Sequence, residues 1–242
     1  MGLESMKQKA VERFLGIFRE DPYSGGQLIE VYQEYLLTKN RSLLRMLMLH
    51  NEEDLMGMPR ILPILFYPDF LTGEFSPQSA GFREENDLFG SKETILDLDC
   101  LCASSLPVPI SWEHPLLDGV HFRGEQNRLE ICIPLFDGEL KYFYPNYKDY
   151  YYLIYEDTAV HKSVGEYVDR SARKKATAST CYTKKRGLFL PQTEPCLAPV
   201  FRSELRSRIC YSLLPEDPLS CPRLSEYVGC LVSSSIRRHS GN

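Results

Sequence analysis

The 242-residue sequence predicts an α+β fold, with helices in its first third and a mainly antiparallel, β-rich part behind them. Apolar residues recur every three or four positions over the first seventy residues, which is the period of a helix face. Beyond about residue 93 the period falls to two, as in half-buried strands. Residues 224–236 then return to helical spacing. The organisation read from these shifts is a helical unit over 1–72, a polar, irregular linker over 73–93 and a β-rich domain with a C-terminal helix over 94–242.

The first helix spans Met6 to Leu15, with Ser5 and Gln8 as a capping box and Gly16 as its stop. Asp21-Pro22-Tyr23-Ser24-Gly25-Gly26 is a turn cluster. A second helix runs from Gln27 to Lys39, with Leu28, Val31, Tyr32, Tyr35 and Leu36 on one face. A third starts after Asn40, a good N-cap, and Gly57 and Pro59 should disturb its end. Strands are expected over Thr94–Ala103, Val108–Trp112, Val120–Phe122, Leu129–Pro134, Leu140–Tyr144 and Tyr150–Tyr155. Asp137-Gly138 is a hairpin signal between two of these. A short helix is expected over Ser163–Arg170. A further hairpin, Ala176–Thr183 with Gly187–Pro191, would turn at Lys184-Lys185-Arg186. Leu224–Ile236 is the closing helix, and Arg237 to Asn242 should fray.

Hydrophobic and charged fractions are ordinary for a globular chain, and no apolar run nears the ~20 residues that cross a membrane. No basic-then-apolar leader opens the sequence, so the expected compartment is the cytoplasm. There the eight cysteines, none in a Cys-x-x-Cys pair, should be reduced and mostly buried. The net charge of −5 is unevenly spread: residues 161–186 hold eight basic and two acidic side chains, a local +6 against −11 elsewhere. Lys174, Lys175, Lys184, Lys185 and Arg186 are the candidate nucleic-acid contacts in this tract, which follows a Tyr-rich run able to stack bases. The same residues also suit a solvated polar turn beside an ordinary aromatic β core.

Leu43, Leu47, His50, Asp54, Met58 and Ile61 form one stripe of the third helix. His50 and Asp54 interrupt an otherwise apolar line, one turn apart and on the same side. Such a pair either satisfies itself as a structural contact or serves hydrolysis, with the carboxylate on a divalent metal and the imidazole activating water.

The run LHNEEDLMGMPRILPIL, preceded by MKQKAVERFLGIFREDPYSGGQLIEVYQEYLLTKN, resembles the late part of a YprB-type ribonuclease-H-like domain. Such domains are similar to DEDD-type 3′–5′ exonucleases, whose last motif is a helix with a His or Tyr base and an Asp metal ligand. The resemblance implies catalytic roles for His50 and Asp54, Asp54 as the metal ligand, Mg²⁺ or Mn²⁺ as the cofactor, and DNA or RNA as the partner. The His-x-x-x-Asp spacing is nearer the tyrosine subclass, so Asp54 transfers better than His50. In the family a leading strand carries Asp-x-Glu, whereas this sequence opens at MGLESMKQKA, which resembles the segment after the middle motif. Asp97-Leu98-Asp99 comes in the wrong order to replace it. The expectation is therefore an N-terminally truncated member, inactive alone, with one apolar helix face lacking its cover. The alternative is a non-enzymatic nucleic-acid-binding or interaction module. ELKYFYPNYKDYYYL and VHKSVGEYVD extend the resemblance into the β-rich part, without a mechanism attached.

Overall fold

The computed structural model describes residue 3 and residues 5–86 and 92–236. Helices α1 (Gln8–Phe14), α2 (Gly25–Thr38) and α3 (Arg41–Arg60) lead, followed by a 3₁₀ turn at Leu62–Leu65 and α4 (Phe66–Thr72). Asn40 caps α3 by accepting the Ser42 N–H at 2.9 Å. Gly16, at φ +75°, ends the α1 turn in a conformation that favours glycine. The expected Ser5/Gln8 box is absent, because Lys7 is the N-cap and makes no side-chain bond. Gln8 instead donates to the Glu12 carboxylate and to the Asp54 backbone carbonyl, both at 2.9 Å. The reciprocal box is found at Ser24 and Gln27, where it starts α2.

Strands β1 (Phe75–Asn86), β2 (Lys92–Cys102), β3 (Ile110–Glu113), β4 (His121–Glu125) and β5 (Arg128–Pro134) make an antiparallel sheet of order β1-β2-β5-β4-β3. Its inner face presents Leu96, Leu98, Cys100, Phe122, Leu129, Ile131 and Ile133, all nearly inaccessible to solvent. The same core takes in Tyr67 and Phe70 of α4, together with Tyr227, Val228, Leu231 and Val232 from the C-terminal helix. Phe14 of α1 packs on Tyr67 with ring centroids 5.4 Å apart, tying the leading helices to this core. β6 (Phe136–Phe143) pairs with β10 (Tyr182–Gln192), which also pairs with β11 (Cys210–Leu213). β7 (Tyr150–Leu153) lies between β8 (Thr158–His161) and β9 (Arg173–Lys175), and α5 (Lys162–Gly165) is a single turn. α6 (Leu224–Ile236) coincides with the predicted closing helix.

Mixed helix and antiparallel sheet agree with the α+β prediction, but four further local expectations are corrected. Much of the expected 73–93 linker is strand β1, paired with β2 from Phe75↔Cys102 to Asn86↔Lys92. Its polar, exposed residues suit a sheet edge, where charge is common. Asp137-Gly138 is no hairpin turn: both residues lie inside β6, opposite Leu188 and Gly187 of β10, because the chain changes sheets after β5. Lys184-Lys185-Arg186 is likewise mid-strand, facing Lys141, Leu140 and Glu139. The expected Ser163–Arg170 helix contracts to α5. The fraying expected at Arg237 to Asn242 falls outside the described residues. Ile29 and Leu37 of α2 and Met48 and Leu55 of α3 are exposed, so apolar surface on these helices stands uncovered.

Candidate functional site around His50 and Asp54

α3 carries His50 and Asp54 on the side that meets α1 and the 15–24 loop, with His50 Nε2 3.3 Å from Asp54 Oδ2. Met58, expected on the same stripe, is exposed, and Gly57 takes the buried position. The reason is close approach: a Cβ on Gly57 would collide with the Glu12 carboxylate and the Gln8 amide. Glu12 is 1% exposed and sits at the centre of the helical unit. Its Oε1 accepts from Arg19 Nη2 at 2.7 Å, and its Oε2 meets Arg19 Nε. Arg19 Nη1 in turn engages Asp54 Oδ1.

On the other side of His50, Nδ1 faces Asp21 Oδ2, which also accepts from Lys9 Nζ at 2.9 Å. Asp21 Oδ1 accepts the Tyr23 N–H at 2.9 Å, closing an Asx turn ahead of α2. Glu53 accepts the Glu20 and Asp21 N–H groups at 2.7 and 3.0 Å. The sequence of contacts is Glu12–Arg19–Asp54–His50–Asp21–Lys9, with acidic and basic or imidazole groups in alternation across two helices and a loop. Burial works against the charged form of Asp21, but Lys9, His50 and the Tyr23 N–H outweigh it and hold its pKa at about 2. Burial also opposes ionised Glu12, and the bonds from Arg19 and Gln8 again prevail, lowering its pKa. Arg19 is pushed above its ordinary value, first by its bond to Glu12.

A catalytic divalent ion needs several carboxylate oxygens turned to one point. Asp54 does not offer that geometry, since one oxygen is on Arg19 and the other faces His50. Among the described residues no group of three or more His, Cys, Asp or Glu side chains can hold a metal. The residues present therefore do not fit the Mg²⁺ or Mn²⁺ that the family resemblance implies. His50 has both ring nitrogens directed at carboxylates, which leaves neither turned toward an attacking water. Sequence reasoning missed Glu12, Arg19 and Asp21. The available signals were the Gln8/Glu12 spacing and a small residue, Gly57, on the opposing helix face.

The basic residues are not gathered on one face. Neighbours along a strand point to opposite sides, so Lys174 and Lys175 of β9 diverge, as does Lys185 from Lys184 and Arg186 in β10. Lys184 Nζ is 2.6 Å from Asp157 Oδ2 and 3.5 Å from Glu139. Asp157, at φ +48°, also receives the hydroxyls of Tyr152 and Tyr182 on Oδ1. Bonds from Lys184 first, then from both tyrosines, hold its carboxyl well below the usual range. Lys174 lies over the Tyr152 ring, and Arg173 over Tyr151. Those tyrosine faces are thus covered by the chain's own cations. Asp97 and Asp99 stand on the outer face of β2, paired with Arg83 and Arg128, remote in topology from α3.

Among the described residues no helix is long and apolar enough to cross a membrane. Neither a curated protein nor a solved structure matches the chain. Residues 1–65, the span that holds the whole His50–Asp54 cluster, match the RNase_H_2 family model, described as RNase_H superfamily, and this supports an RNase-H-like segment at the front of the chain.

Proposed function

We propose that this chain is a YprB-type, RNase-H-like relative of DEDD-type 3′–5′ exonucleases, and that α3 stands in the place of their last motif. The observation that carries this reading is the His50–Asp54 pair on one face of α3, 3.3 Å apart, inside the matched span. Nucleic acid is then the partner class. The engagement of Asp54 with Arg19 and of His50 with Asp21 argues that this arrangement does not hydrolyse phosphodiesters unaided. Two-metal hydrolysis calls for bridging carboxylates, which would have to come from outside the described residues.

The test is incubation of the purified 242-residue chain with 5′-labelled single-stranded DNA and RNA in Mg²⁺ or Mn²⁺. No shortening above a no-protein control is expected. Metal-dependent exonucleolysis that disappears in Asp54→Asn would overturn the inactive reading while upholding the family. Activity that survives Asp54→Asn and His50→Ala would remove the assigned site altogether.

A further inference from the structure

We propose that the outward apolar face of α3 is a self-association surface, and that its partner is the same face of a second copy of this chain, running antiparallel. Leu44, Met48, Asn51, Leu55 and Met58 follow one another along α3 at alternating steps of four and three residues. Leu62 continues the row into the 3₁₀ turn. Such alternation is the seam of a coiled coil, in which two helices interlock side by side. The five apolar members are between 37% and 59% exposed, and Asn51 is exposed as well. Single exposed apolar side chains are ordinary, but a contiguous row of several hundred Å² marks an interaction surface. The row is separate from the side that carries His50 and Asp54, which is turned to α1 and the 15–24 loop.

Two features of the row select a second copy as its occupant. One is its single amide. A lone Asn in an apolar seam disfavours any partner that leaves it without a hydrogen bond. An antiparallel copy brings its own Asn51 within one layer, where the two amides can bond each other. The other feature is charge. Arg45 and Glu52 are exposed on one edge of the seam, seven positions apart. Among the described residues neither has an ion-pair partner. An antiparallel copy with Leu44 opposite Leu55 and Met48 opposite Asn51 sets Arg45 of each chain beside Glu52 of the other, twice about one two-fold axis.

Other arrangements lose this match. Sliding one copy by a heptad, so that Leu44 meets Leu62, brings the two Glu52 carboxylates together. A parallel copy puts Arg45 beside Asn40 and Glu52 beside Leu47, with no ion pair gained. The far edge of the seam is formed by Leu47, Asp54 and Ile61, and Asp54 is already engaged by Arg19. A contact that uses the same patch on both copies closes at the dimer and leaves no face for a third.

The test is sedimentation equilibrium of the full chain over about a hundredfold range of concentration, read against its 27.9 kDa monomer mass. A monomer–dimer equilibrium is expected, limited at twice that mass. Met48→Lys with Leu55→Lys should leave a monomer of unchanged far-ultraviolet circular dichroism, since both side chains are exposed in the single chain. Arg45→Glu should raise the dissociation constant of the dimer about tenfold, by turning two attractions into repulsions. Adding Glu52→Arg should return it close to the wild-type value, which a purely hydrophobic contact would not do. This charge swap decides the matter if the double lysine variant fails to fold. A wild-type chain that stays monomeric throughout would overturn the proposal. So would a dimer that survives both lysines, assemblies that grow beyond two copies, or an Arg45→Glu dimer of undiminished affinity.

Discussion

The distribution of burial around Arg19 makes a sharp energetic prediction. Glu12 and Arg19 form a desolvated pair, with side chains 2% and 8% exposed, whereas Asp54 is 38% exposed. Removing one partner of a buried, hydrogen-bonded pair leaves an uncompensated charge and costs about 3–5 kcal/mol. An ion pair open to solvent contributes roughly 0.2–1 kcal/mol. Arg19→Met should therefore destabilise the chain by about 3 kcal/mol, and Asp54→Asn by no more than about 1 kcal/mol. Adding Glu12→Gln to Arg19→Met should recover part of the loss, because no buried charge then remains unpaired. Urea unfolding followed by far-ultraviolet circular dichroism measures all four proteins, with the helical signal reporting on α1–α3 directly. An Asp54→Asn penalty equal to that of Arg19→Met would refute the reasoning, since it would place the structural weight on the exposed end of the chain of contacts.

Other expectations follow from neighbouring contacts. Asp21 has its pKa held at about 2 against about 3.9 unfolded, so it contributes about 2 kcal/mol above pH 4 that disappears as pH falls toward 2. In Asp21→Asn that part of the acid-unfolding slope should be missing, while a slope unchanged from wild type would contradict the assignment. Gly57→Ala must push Glu12 off Arg19 and should cost on the order of 2 kcal/mol in thermal unfolding, whereas Gly81→Ala, with open space around it, should be nearly neutral. If nucleic acid contacts the basic strands, replacing Lys184, Lys185 and Arg186 together by Ala should flatten the salt dependence of binding in fluorescence anisotropy. An unchanged slope would remove these residues from the interface.

Long periodic stretches were legible in the sequence. Asn40 followed by a helical stripe located α3, the 224–236 spacing located α6, and strict alternation located β2 with Leu96, Leu98, Cys100 and Cys102 on its inner face. Turn chemistry misled where tertiary pairing overrode it. Asp137-Gly138 sits in β6 with Gly138 beneath the Phe136 ring, and Lys184 is carried mid-strand by Asp157 and Glu139, which no local pattern announces. Strand β1 was hidden because an exposed edge strand has no buried alternation to read. At the candidate site the helical spacing of His50 and Asp54 was visible, whereas their partners came from contacts 29 and 35 residues away in sequence. A long-range ion pair leaves no periodic trace, so Arg19 and Asp21 could be found only in three dimensions.

The claim that Asp54 is engaged by Arg19 and His50 rather than open to a metal is tested most directly by titrating the chain with Mn²⁺ and following the free-ion electron paramagnetic resonance signal. The account predicts that wild-type protein leaves the signal of a stoichiometric amount of Mn²⁺ undiminished. Depletion of that signal by the wild type, restored in Asp54→Asn, would contradict it.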